Sequence, residues 1–124
     1  MINVLAVAAG GAVGAVMRFG VASSVTNWLG RGFPYGTLTV NVLGSLIMGL
    51  LYVLMLERLS VGPEWRAALQ IGLLGAFTTF SSFSIETLIL IENGEAFRAV
   101  LNIVLSVSIC LVAVWLGVTL GRQL

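Results

Sequence analysis

The densest run of chemically capable residues is Gly72-Leu73-Leu74-Gly75-Ala76-Phe77-Thr78-Thr79-Phe80-Ser81-Ser82-Phe83-Ser84. Scattered Ser and Thr in an apolar helix bond back to their own backbone and serve packing. Five hydroxyls in the seven positions Thr78 to Ser84, beside Gly75, are denser than packing needs. They predict a discontinuous helix, unwound around Gly75 to Thr79, whose hydroxyls help satisfy the freed N–H and C=O groups. Freed carbonyls at such a break can hold a small cation. Phe80 and Phe83 lie three apart and share a helical face. They read either as lipid-facing or core aromatics, or as rings whose positive edges stabilise a desolvated anion beside the donors of Ser81, Ser82 and Ser84.

Other polar groups stand alone in apolar surroundings. Asn41, within Gly36-Thr37-Leu38-Thr39-Val40-Asn41-Val42-Leu43-Gly44-Ser45, offers two amide donors. It reads equally as interhelical glue or as an anion ligand. Arg18 lies close enough to the end of its apolar segment to snorkel, and it could also draw anions into a vestibule. Glu86 calls for a buried, paired or protonated carboxyl. Asn102 and Ser106, four apart, either extend a polar stripe or knit helices together. Gly10-x3-Gly14 and Gly117-x3-Gly121 permit close helix approach, a pattern common in membrane helices.

The elements that must position these residues follow from composition. Of 124 residues 59% are hydrophobic and 9% charged, against about 45–50% and 25% in globular proteins. Mean hydropathy is +1.10. Eleven charges could not solvate a water-exposed surface of this size, which excludes a water-soluble enzyme, a disordered chain and a nucleic-acid binder. There is no Lys, Asp or His, and Cys110 is alone, so conventional metal clusters, disulfides and Cys/His nucleophiles lack parts. Met1-Ile2-Asn3 shows no basic leader and reads as the start of a retained membrane helix.

Four apolar segments emerge, about Val4 to Val25, Tyr35 to Leu56, Ala67 to Ile91 and Ala99 to Leu120. Each is long enough to cross a bilayer core, for which ~20 helical residues suffice. Asn27 to Pro34 reads as a loop, as does Glu92-Asn93-Gly94-Glu95. Ser60 to Glu64 starts a helix with Pro63 as its first residue. Residues 1–124 thus form a single four-helix transmembrane domain. Arg58, Arg66 and Arg122 fall on one side and Arg31 and Arg98 on the other. A difference of one hardly selects an orientation. Either the chain simply lacks charges, or copies insert both ways and pair antiparallel.

Gly10-Gly11-x-x-Gly14-x-x-x-Arg18, Gly36-Thr37-Leu38-x-Val40-Asn41-x-x-Gly44 and Gly72-x-x-Gly75-x-x-Thr78-Thr79-Phe80-Ser81-Ser82-Phe83-Ser84 together resemble the Fluc (CrcB-type) fluoride channels. The resemblance spans the chain in length, span count and motif order, and the Thr-Thr-Phe-Ser-x-Phe-Ser string is its most specific part. It departs from the family pattern in having Ser82 where Thr is frequent and Ala76 where a second Gly is frequent. The resemblance implies an all-α membrane protein whose third helix is broken at mid-membrane, assembled as an antiparallel, dual-topology homodimer with two fluoride pores. It implies a structural sodium ion at the dimer centre, held by the carbonyls of Gly75 and Thr78. It implies pore roles for Asn41, Phe80 and Phe83, and a hydroxyl track through Thr79 and Ser82, extended by Thr37 and Ser106. Arg18 is the candidate for attracting the anion.

The expected function is passive fluoride export across a bacterial inner membrane, with fluoride, the bilayer and a second copy of the chain as partners and no enzymatic step. The competing reading is a small four-helix proton-coupled multidrug antiporter. That class centres on a membrane-embedded carboxylate, for which Glu86 is the candidate.

Overall fold

Apolar runs ended by Gly, Pro and charge give long helices, and the computed structural model describes residues 2–58 and 61–124, with Arg58 described by its backbone alone. The expectations for Met1 and Ser60 lie outside these residues. Helix α1 (Ile2–Leu29) is followed by α2 (Tyr35–Val53), which runs on into a wider π turn, Leu54–Arg58. Next come α3 (Pro63–Arg66), a second π stretch (Ala67–Leu74), α4 (Gly75–Phe77), α5 (Phe80–Glu92) and α6 (Ala96–Gln123). These form four spans long and apolar enough to cross a membrane, Ile2–Leu29, Tyr35–Glu57, Pro63–Glu92 and Ala96–Gln123.

The first span is longer than the expected Val4 to Val25, and Asn27-Trp28-Leu29 is helix rather than loop. Nothing in that tripeptide breaks a helix. The end comes at Gly30, whose φ of 92° suits only glycine and whose N–H caps the Thr26 carbonyl at 2.8 Å. The third span starts as expected, with Gly62 as N-cap and Pro63 at the first helical position. Its far end closes with Gly94 at φ 77° and bonds from the Gly94 and Glu95 N–H groups to the Ile91 and Leu90 carbonyls. That pattern satisfies the orphan carbonyls of α5.

Helix α2 packs chiefly on α6, and α1 packs on Ala67–Leu74 and α4. Both seams are built on glycine. A Cβ at Gly49 would strike the Val114 carbonyl, and one at Gly117 would strike the Leu46 carbonyl. Gly10 and Gly14 sit equally close to the Ala68 and Leu73 carbonyls. Association in lipid depends on such close van der Waals contact, because lipid tails offer no hydrophobic drive between helices. The outer surface is correspondingly apolar, with Val16 71% and Phe19 74% exposed. An apolar surface so extensive fits a lipid solvent.

Candidate functional site

The third span loses its helix near its middle, and the interruption is narrower than expected. Gly75 stays helical (φ −61°, ψ −37°), while Thr78 (φ −88°, ψ 159°) and Thr79 (φ −152°, ψ 119°) are extended. Two β-branched residues tolerate extended backbone readily, so no glycine is needed at the break. Gly44 of α2 makes room for it instead: a Cβ there would collide with the Thr78 methyl.

Asn41 holds the break from the neighbouring helix. Its Oδ1 accepts the Thr79 N–H at 2.8 Å, and its Nδ2 donates to the Thr79 carbonyl at 3.0 Å. The side-chain amide thus pairs with both polar groups of one residue and gives the Thr79 N–H the acceptor that a continuous helix would supply. An amide nitrogen carries two protons, and this pairing uses one of them. Asn41 is therefore interhelical glue, one of the two roles its sequence position left open, and it keeps one amide proton uncommitted.

Thr79 caps α5, its Oγ1 accepting the Ser82 N–H at 3.1 Å and lying 3.3 Å from Ser81 Oγ. Several of the clustered hydroxyls bond back one turn. Thr78 Oγ1 donates to the Leu74 carbonyl at 3.0 Å and Ser84 Oγ to the Phe80 carbonyl at 3.0 Å. Two helical donors are diverted at the break. In an unbroken helix the Thr79 N–H would serve the Gly75 carbonyl and the Ser82 N–H the Thr78 carbonyl. Here the first goes to Asn41 and the second to Thr79 Oγ1. Those two carbonyls are hard, uncharged oxygens, the donor type an alkali cation takes, so the residues present fit a sodium ion. Among the described residues no three carboxylate, thiol or imidazole groups gather to hold a metal otherwise.

A groove of about 480 Å³ runs along the break. Asn41, Thr78, Thr79, Phe80, Phe83 and Ser106 line it, with Met48, Cys110 and Leu111 completing an apolar wall and no charged side chain among the lining. The Phe80 and Phe83 rings are 5.3 Å apart and tilted by 48°, the mutual geometry aromatic pairs favour over face-to-face stacking. The N-terminus of the 13-residue α5 opens here as well. Its unsatisfied N–H groups carry partial positive charge, favourable to an anion. Phe80 is 78% exposed on the single chain.

The structure thus brings together Asn41, Thr79, Phe80, Phe83 and Ser106. Ser82 enters through its backbone and does not line the groove, and Gly75 is exposed without lining it. Arg18, half-buried on α1, borders neither this groove nor the second cavity. That second cavity, about 430 Å³, lies between the α1–α2 loop and the α5–α6 turn, with Arg31, Glu86 and Arg98 in its wall. Glu86 Oε1 is buried without a hydrogen-bond partner, with Thr37 close to the carboxyl. Arg98 bonds the Gly32 carbonyl at 2.9 Å and Glu95 at 3.0 Å, which fixes the loop. Sequence reasoning missed Thr87, which joins the groove wall to Asn102. Its signal was its place one helical turn after Phe83. The α6 wall of Val107, Cys110, Leu111 and Val114 follows Ser106 at helical spacing.

Four apolar spans, glycine seams, a helix broken inside one span and a largely apolar groove with a few polar side chains at the break define an integral helical membrane protein. Residues 5–118 match the family described as CrcB-like protein, Camphor Resistance (CrcB). The chain is 53% identical over 123 residues to a Coxiella burnetii protein, covering 98% of this chain and 99% of that one. It is 48% identical over 124 residues to a Geobacter sulfurreducens protein, at full coverage of both. A Methylococcus capsulatus protein is 52% identical over 123 residues, 99% of this chain, which spans only 54% of that relative's length. Each of these relatives is named a fluoride-specific ion channel. The chain belongs to the CrcB family.

Proposed function

We propose that this chain is a passive fluoride channel of a bacterial inner membrane, conducting along the groove at the break. The observation that carries the reading is the Asn41–Thr79 pairing, which holds an interrupted helix open from a groove-lining side chain and leaves one amide proton uncommitted. Fluoride is small and strongly hydrated, so a path for it must replace water with donors at little reorganisation. The spare Asn41 proton, the α5 N-terminus and the Phe80 and Phe83 ring edges are donors of that kind, and the groove holds no carboxylate to repel an anion. The fluoride-channel names of the relatives agree. Transport of this type needs no covalent chemistry. An inside-negative potential drives an anion outward by about 2.3 kcal/mol per 100 mV.

Two copies arranged antiparallel, each crossing the bilayer with its break at mid-depth, complete the assembly. The near balance of arginines between the two ends supports dual insertion. The exposure of Gly75 and Phe80 on the single chain supports a second copy against the break. The Gly75 and Thr78 carbonyls of both copies would hold one sodium ion, which when bound would satisfy oxygens whose usual helical donors are diverted. Ser106 serves the groove wall. Arg18, away from the groove, draws anions to the membrane surface and makes no contact along the path.

The test is fluoride release from liposomes carrying the purified chain, read with a fluoride-selective electrode. Fast release when valinomycin supplies potassium counterflow, with chloride retained, is the expected result. Release that needs a proton gradient and is indifferent to valinomycin overturns the channel.

A further inference from the structure

A line of buried side-chain hydrogen bonds joins α5 to α6 behind the groove. Thr87 Oγ1 donates to the Phe83 carbonyl at 2.7 Å, Asn102 Nδ2 donates to Thr87 Oγ1 at 2.9 Å, and Ser106 Oγ donates to Asn102 Oδ1 at 3.3 Å. Thr87 and Ser106 are buried, and Asn102 is only 2% exposed.

Proton counting fixes the direction of every bond in the line. A hydroxyl has one proton. That of Thr87 is committed to the Phe83 carbonyl, so Thr87 can only accept from Asn102, and Asn102 must turn its NH2 toward it. The amide oxygen then faces Ser106, which has to be the donor at that contact. One back-bonded threonine therefore sets the orientation of all three side chains.

Both ends of the line reach the groove, because Phe83 and Ser106 line it and Asn102 does not. The Ser106 proton is aimed at Asn102, so toward the groove this hydroxyl has lone pairs to show. An anion could take that proton only by leaving a buried amide oxygen without a donor, a cost worth one to two orders of magnitude in occupancy.

We propose that Asn102 is a positioning residue of the conducting groove, seating Phe83 through Thr87 and holding the proton of Ser106 away from the anion. The transport half of this proposal rests on the groove being the fluoride path. The line then acts as one unit, and Ser106 contributes through Asn102 instead of as an independent donor.

Two readouts test it. In fluoride efflux, Asn102→Leu, close to Asn in size but unable to hydrogen-bond, lowers the rate at least tenfold. Adding Ser106→Ala to it lowers the rate no further. Near-normal flux in Asn102→Leu, or losses that multiply in the double variant, overturns the proposal. The second readout does not depend on transport. With 4-fluorophenylalanine incorporated and the Phe83 signal identified through Phe83→Leu, the ¹⁹F resonance of position 83 shifts in Thr87→Val and returns in Thr87→Ser. An unmoved resonance in Thr87→Val overturns the seating of Phe83, and it does so even if Asn102→Leu fails to assemble. If wild-type protein releases no fluoride, the channel reading fails, while the resonance still decides the seating of Phe83 through Thr87.

Discussion

Replacing Asn41 by aspartate changes one heavy atom and reverses one of the two hydrogen bonds at the break. The Thr79 N–H keeps its acceptor at 2.8 Å, but the Thr79 carbonyl, now receiving a proton from Nδ2 at 3.0 Å, would face a second acceptor. Losing that bond costs ~1 kcal/mol. The larger effect falls on the anion. A full negative charge about 4 Å from a passing fluoride, at an effective dielectric of ~20, raises its energy by about 4 kcal/mol. At 1.4 kcal/mol per decade that is a fall in flux of roughly a thousandfold. Asn41→Ala removes the donors without adding charge and falls between wild type and Asn41→Asp. The assay is electrode-detected efflux near pH 7.5, after size-exclusion chromatography has shown the same assembly as wild type. Asn41→Asp flux above a tenth of wild type, from correctly assembled protein, would refute the placement of Asn41 beside the anion.

Gly44→Ala drives a methyl into the stiff Thr78 side chain, so the break must shift. Overpacking of this kind costs about 1–3 kcal/mol, and both thermal stability in detergent and flux fall. Thr79→Val keeps the shape of the α5 cap and removes its acceptor for the Ser82 N–H, which lowers stability by ~1 kcal/mol in a detergent melt. The proposed sodium-bridged pair predicts that exchange of sodium for N-methylglucamine yields monomer on size-exclusion chromatography. A protease-accessible tag placed after Arg122 is cleaved from both sides of the membrane, in comparable amounts.

The spans and most of their ends were legible because lipid imposes a length and Gly, Pro and charge punctuate it. Asn27-Trp28-Leu29 misled because loop composition is only a correlate. The helix ends where Gly30 provides a positive φ. The break was legible from hydroxyl density, yet it lies at Thr78–Thr79 while Gly75 remains helical. The reason is nonlocal: Asn41 on another helix captures the Thr79 peptide groups, and Gly44 opens the space beside them. The same holds for Asn102. Its spacing from Ser106 is visible along α6, but its bond to Thr87 exists only once α5 and α6 adopt their mutual register. The π turns at Leu54–Arg58 and Ala67–Leu74 carry no marker in apolar sequence that would separate them from ordinary helix.

In the proposed channel the anion travels through the groove between the broken helix and α6. Cys110 lines that groove opposite the break and takes no part in the hydrogen bonds that hold the break open. Efflux from liposomes bearing Cys110→Trp and Cys110→Ala measures the path directly. The indole fills the groove and stops fluoride release, while the alanine variant conducts like wild type. Undiminished release through correctly assembled Cys110→Trp would mean that fluoride takes another route.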